Sequence, residues 1–255
     1  MTTFKRFLVL AFIALFAVTA LSGQSNSSKS SSKNDEKSVE ESYLQEAIEL
    51  MIIKETSRSE SLDQKLLALQ FIGDAIERGN TSDEIRKALE YIMMESLTYE
   101  ARENGRLVNN YPLARREAAR YLGQLGTVEA RDALIKLCRY ETEPMVLQEA
   151  IKSLGDIGNN DDDKAVKAIV WIVRYFDVHN PDSLLALSAV DAIAKLASSS
   201  NGIKDPDAYS LLVRISDGNY VTPVKNKARQ VLMDMRKSSA KENKDNKDNK
   251  DNKNS

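Results

Sequence analysis

The side chains best suited to covalent or metal chemistry are scarce in this sequence, which holds one histidine, His179, and one cysteine, Cys138. A lone histidine excludes multi-histidine metal sites and leaves a nucleophile–base pair little to work with. His179 stands in "DVHNPD" and reads as a solvated loop residue. Cys138 follows Leu137 on an apolar helical face and reads as a buried small hydrophobe rather than a reactive thiol. Asp161, Asp162 and Asp163 bring three carboxylates together, but the run lacks the spaced ligands, the glycine and the closing glutamate of a calcium loop. It reads instead as negative charge opening a helix near Lys164. The sequence contains neither the phosphate-cradling Gly-x-x-x-x-Gly-Lys nor the nucleophile elbow Gly-x-Ser-x-Gly. No catalytic residue, metal ligand or cofactor follows from these residues, and the chain reads as a non-enzyme.

Binding chemistry is better represented. The stretch "TYEARENGRLVNNYP", Thr98 to Pro112, is long for a connection between helices, and such loops often carry function. Its Tyr99, Leu107, Val108 and Tyr111 suit either an exposed apolar contact or a flap folded over the core, and Arg102 and Arg106 lie among them. Just beyond, Arg116 and Arg120 point away from Ala118 on a helix of about 3.6 residues per turn. The next repeat places Gln148 and Lys152 there. With Arg115 nearby, these cations predict a locally basic groove able to take an acidic peptide or glycan. Trp171, among Ile169, Val170 and Val173, reads as packing.

The elements that position these residues are announced by repetition. "ALQFIGDAI", "AARYLGQLG", "AIKSLGDIG", "AVDAIAKLA" and "ARQVLMDMR" align on Ala68, Ala118, Ala150, Ala189 and Ala228, at intervals of 50, 32, 39 and 39 residues. Each phrase has a large aliphatic residue four positions on and an apolar residue at the seventh, which share one helix face. Each is preceded by a second amphipathic segment, such as Ile85, Ala88, Leu89 and Ile92, or Val166, Ile169, Val170 and Val173. The body is therefore predicted as five helix pairs, A then B. Pro112, Pro144, Pro181 and Pro223 mark the starts of four B helices, where a missing N–H costs no intrahelical bond. Gly126 and Gly158 are predicted to end two B helices, and Gly123 and Gly155 to admit a neighbouring helix closely.

Both ends of the chain differ from this body. Lys5 and Arg6 precede an uncharged run from Phe7 to Leu21 and small residues at Ser22 and Gly23, so residues 1–23 read as a signal peptide. That run is shorter than the ~20 residues of a spanning helix, so no integral membrane span is expected once it is removed, although a retained anchor is the alternative. Residues 24–40 read as a Ser/Lys-rich disordered tether, 41–238 as the repeat domain, and 239–255 as a disordered Lys/Asp/Asn tail. A formal net charge of −2 gives no reason to expect nucleic acid as a partner.

The phrase "ARREAARYLGQLGTVEARDALIKL" resembles the HEAT repeat, and especially the HEAT-like repeat of phycobilisome lyases. The match is strongest over Arg115 to Leu137 and Pro144 to Val173. The resemblance implies an all-α fold, an α-solenoid with a right-handed superhelix of about five stacked antiparallel helix pairs, whose B helices line a concave face. It also implies a basic residue near the start of the B helix. Arg116 fits that place, which Gln148, Leu187 and Asn226 occupy in later repeats. Such folds usually present surfaces to other macromolecules. The expected function is that of an exported scaffold, periplasmic or secreted, which binds a protein partner through the concave face and the 98–112 loop. A structural cell-envelope component and a HEAT-like lyase-type enzyme are the alternatives.

Overall fold

A computed structural model of the protein describes residues 39–179, 181–199 and 202–251. Residues 1–23, read as a signal peptide, and residues 24–38 of the expected tether lie outside these residues, as do residues 252–255. The chain divides into two compact units, 1–42 and 43–255. Of the first, only the opening turn of helix α1 is described.

The described residues hold ten helices, the number that five pairs require. The A helices are α1 (Val39–Ser57), α3 (Asp83–Met94), α5 (Val128–Tyr140), α7 (Lys164–His179) and α9 (Pro206–Asp217). The B helices are α2 (Leu62–Glu77), α4 (Pro112–Leu125), α6 (Pro144–Ile157), α8 (Ser183–Ala197) and α10 (Thr222–Asp251). The B helices stack in succession, α2 on α4, α4 on α6, α6 on α8 and α8 on α10. From α3 onward the A helices form a parallel row, α3 with α5, α5 with α7 and α7 with α9. This is the stacked-pair architecture of an all-α solenoid. Beyond the predicted helices, the described residues hold one two-stranded antiparallel hairpin, β1 (Arg102–Glu103) with β2 (Arg106–Leu107), inside the long loop. No described helix is long and apolar enough to cross a membrane.

Burial explains the repeated phrase. Ala68, Ala118, Ala150, Ala189 and Ala228 are all fully buried, and so are Ile72, Leu122, Leu154 and Ile193 four positions on. One pair cannot cover that stripe alone, whereas stacked pairs bury it as one continuous core. Local signals set the boundaries. Pro112 and Pro144 open α4 and α6, while Gly126 and Gly158 close them in the left-handed region at φ 67° and 69°. Thr127 caps α5 by accepting from Ala130 N, and Asp182 caps α8 by accepting from Leu184 N and Leu185 N. Pro181 therefore precedes the cap of α8 rather than opening its first turn. The α10 backbone stays helical to Asp251, past residue 238.

A column of small residues lets the B helices approach closely. A β-carbon built on Gly155 would lie 2.7 Å from Ala192 Cα, and one on Gly123 would lie 2.7 Å from Ser153 Cβ. The close approach expected at these two glycines is present. Gly73 belongs to the same column and meets the ring of Tyr121.

Candidate functional site

The loop from Thr98 to Pro112 is a braced hairpin. Asn104 and Gly105 make its turn with φ of 49° and 79°, the left-handed pair that matches strand twist. At the base, Asn109 is buried, accepts from Ala101 N at 3.0 Å and donates to Tyr99 O at 2.8 Å, while Val108 N donates to Ala101 O. Tyr111 is partly buried, and its hydroxyl lies 2.9 Å from both Glu60 O and Val108 O, which pins the loop to the α1–α2 turn. Burial and the nearby Glu95 and Glu60 charges push its phenol above the ordinary range.

The two readings of the loop's apolar residues are thus divided between them. Tyr111 folds back onto the body, and Leu107 is half-buried. Tyr99, 72% exposed, and Val108, 38% exposed, face solvent. Arg102 is exposed and paired with Glu100, and Arg106 is exposed on the second strand.

The expected basic groove is not there, because carboxylates on the same face answer its cations. Arg116 and Arg120 both bind Glu117, at 3.1 and 2.9 Å. Burial works against the Glu117 carboxylate, but hydrogen bonds from Arg120 and Arg116 outweigh it and hold its pKa below the usual range. Lys152 pairs with Glu149 at 3.3 Å, Lys227 with Asp191 at 2.8 Å, and Lys195 with Asp156. The exposed B-helix face is therefore a mixed-charge row, with a groove of about 450 Å³ lined by Lys152, Ser188, Asp191, Lys195 and Lys227.

Arg115 does not belong to that face at all. It is buried and gives Nε to Glu141 Oε2 at 2.7 Å, while Nη1 reaches Ser96 Oγ at 2.9 Å and Asn110 Oδ1 at 2.6 Å. Glu141, the C-cap of α5, also accepts from Thr142 N and Glu143 N. The same arrangement occurs one repeat earlier. Buried Lys65 sits three positions before its alignment alanine, as Arg115 does, and pairs at 2.5 Å with Glu95, the C-cap of α3. Leu147 and Ala186 occupy this column in the next two repeats. The buried basic residue of the B helix is thus Arg115 rather than Arg116, and it ties the hairpin's base to the stack.

The residues singled out for reactive chemistry are placed plainly. Cys138 is buried, and burial pushes its thiol to about 12, which leaves it protonated at physiological pH. His179 is the last residue of α7 rather than a loop residue. Asp162 accepts from Lys164 N at 3.1 Å, as expected of a charge at a helix start, and also binds Lys164 Nζ and Arg131. The Lys164 hydrogen bond holds its carboxyl below the usual range. Among the described residues no group of three or more acidic, histidine or cysteine side chains is placed to hold a metal. Trp171 is not packing: it is 51% exposed and stacks on Tyr175 with ring centroids 5.7 Å apart.

Three comparisons bear on this geometry. Residues 106–177 match the family model described as HEAT repeats. A protein of Treponema pallidum (strain Nichols), described as uncharacterized, is 34% identical over 121 residues, which are 48% of this chain and 22% of that protein. The match thus spans about a fifth of that protein's length. Among solved structures, the complex of CpcE and CpcF of phycocyanin lyase from Nostoc sp. PCC7120 superposes with a TM-score of 0.52 at 18% identity, covering 83% of this chain and 70% of that one. The HEAT-like repeat read in the phrases is present in sequence over 106–177, and the stacked pairs have the fold of a HEAT-like solenoid.

Proposed function

We propose that this HEAT-like repeat protein is an exported, non-catalytic scaffold that holds a protein partner against the exposed side of the 98–112 hairpin and the adjoining B-helix face. The observation that carries the reading is the hairpin itself. Asn109, Asn110, Tyr111 and Arg115 hold its base rigid, while Tyr99, Val108 and Arg106 are presented outward from it. A preorganised aromatic contact on a rigid support is how binding energy is concentrated in a few residues. The mixed-charge B face favours a partner of matching polarity over a strongly acidic one. Export rests on Lys5, Arg6 and the Phe7–Leu21 run.

A lyase-type activity is the second reading, favoured by the likeness to the phycocyanin lyase complex. To separate the two, a photo-crosslinking residue is installed in the full chain at position 99 in the cell, with position 129 on α5 as the control. The scaffold reading expects one protein adduct from 99 and none from 129. Turnover of a small molecule that is lost with Arg116→Ala or Arg120→Ala, with no adduct from 99, supports the lyase reading instead.

A further inference from the structure

The A helices from α3 onward share one inward spacing, in which Leu89, Leu134, Val170 and Leu212 are buried equivalents. That register fixes which residues face outward. The residue after each is Glu90, Ile135, Trp171 and Val213, and the fifth after each is Met94, Arg139, Tyr175 and Asp217. Of these helices only α7 fills both places with aromatics. Trp171 and Tyr175 are 51% and 49% exposed, and their rings stack with 18° between planes. So much aromatic surface left in water is a favourable contact not yet made.

Trp171 forms one wall of a groove of about 420 Å³ between α5 and α7. Its other apolar walls are Ile135, Cys138 and Ala168, and its charged lining is Arg139, Lys164 and Lys167. The volume lies within the ~300–1,000 Å³ of small-ligand sites. Among the described residues α5 and α7 exchange no ion pair across their exposed faces, whereas α7 and α9 are tied by Arg174 to Asp207 at 2.9 Å and by Arg214 to Asp177. Lys164 meets Asp162 at 2.8 Å and Lys167 meets Asp205 at 3.8 Å, but both ammonium groups are more than half exposed, where such pairs hold loosely. Arg139 is exposed and forms no ion pair among the described residues. The lining has no carboxylate, amide or hydroxyl side chain, so its nitrogen groups only donate.

The geometry points to this groove as a binding site for an anionic sugar chain, with a pyranose face lying on Trp171 and Tyr175 and its carboxylate or sulfate reaching Arg139, Lys164 and Lys167. Complementarity of charge and of donors to acceptors carries the inference. The C–H face of a pyranose suits the negative face of an aromatic ring. Its ring, hydroxyl and acid oxygens accept from a lining that only donates. An acidic peptide fits less well, because its backbone N–H groups would find no side-chain acceptor here. Single-stranded nucleic acid needs a basic track along its phosphates, and a chain of net charge −2 with Asp162 and Asp205 flanking the groove supplies none. The site uses neither the hairpin nor the B-helix face.

Trp171 is the only tryptophan in the chain, so its emission reports on this groove alone. In the full chain, titration with oligogalacturonate or with a heparin fragment is expected to shift that emission saturably, and added salt to weaken the binding. Neutral maltohexaose is expected to give no shift at the same concentrations. Arg139→Ala with Lys167→Ala, both on exposed faces, is expected to keep its helicity and to bind about tenfold more weakly. Arg236→Ala with Lys237→Ala, an equal loss of charge from exposed positions on α10, is expected to leave the titration unchanged. No saturable shift with either anionic probe overturns the proposal, as does a glycan titration untouched by the Arg139 and Lys167 substitutions. Maltohexaose binding with the same midpoint overturns it too. Hexaglutamate or oligothymidylate binding as tightly as the glycans would assign the groove to an acidic peptide or a nucleic acid instead.

Discussion

Alanine at Gly155 gives a direct measure of how tightly the B helices are packed. The new β-carbon would lie 2.7 Å from Ala192 Cα and 2.9 Å from its Cβ, against the 3.5–4.0 Å at which carbon atoms attract. The obstructing atoms are backbone and the first side-chain carbon, so no rotamer change relieves the clash. α6 and α8 must move apart by about 1 Å and loosen the interface on either side. Overpacking of this kind costs about 1–3 kcal/mol. A glycine-to-alanine change inside a helix returns up to about 1 kcal/mol. The net expectation is a loss of about 1–2 kcal/mol, read as a lower urea midpoint by circular dichroism at unchanged slope. Gly73→Ala is the control, because its obstruction is the outer ring of Tyr121, which can swing aside. Its stability is expected to stay within about 0.5 kcal/mol of the unmodified protein. A Gly155→Ala protein as stable as the Gly73→Ala protein would refute the close-approach argument.

Other consequences follow from the buried groups. Arg115→Leu strands the Glu141 carboxylate and is expected to cost about 3–5 kcal/mol in urea unfolding, whereas Arg116→Leu on the exposed face stays within about 0.5 kcal/mol. Equal effects would show that the buried column has been assigned to the wrong residue. Cys138 should react with a thiol reagent in the native protein only through unfolding, so labelling at pH 8 tracks global unfolding; rapid labelling would contradict its burial. Because its folded pKa is raised from 9.0 to about 12, its contribution to stability is full below pH 9 and declines through that window. Cys138→Ala should remove that part of the alkaline loss in unfolding titrations. Thr127→Ala removes the acceptor for Ala130 N and should cost about 1 kcal/mol, read from the same urea midpoints.

The five pairs were legible because burial imposes them on the sequence. A fully buried alanine, followed by apolar residues at four and seven, is what one face of a stacked helix requires. The site was less legible, and the errors have physical causes. One residue along a helix is a 100° rotation, enough to turn an exposed cation into a buried one, and so Arg116 was given the place that Arg115 holds. The signal was present: Lys65 and Arg115 share a column with Leu147 and Ala186, and a glutamate closes the next A helix in both cases. The Asn104-Gly105 dipeptide likewise signals a hairpin turn within the long 98–112 loop. The basic groove failed because Arg116, Arg120 and Lys152 were counted without Glu117 and Glu149 beside them. The exposure of Trp171 depends on which side of α7 meets its neighbours, which its apolar flanks conceal.

The proposed role of the hairpin as a partner-binding element on a scaffold is open to direct measurement. Removing the loop is a poor test, since Asn109, Asn110 and Tyr111 brace the body. The more direct measurement replaces only the outward residues, as Tyr99→Ser with Val108→Ser, and compares crosslinked partners of both proteins in the native cell by mass spectrometry. One partner is expected to be recovered with the unmodified chain and lost with the double substitution, while helicity and urea midpoint are unchanged. The same partners recovered at the same yield from both proteins would contradict it.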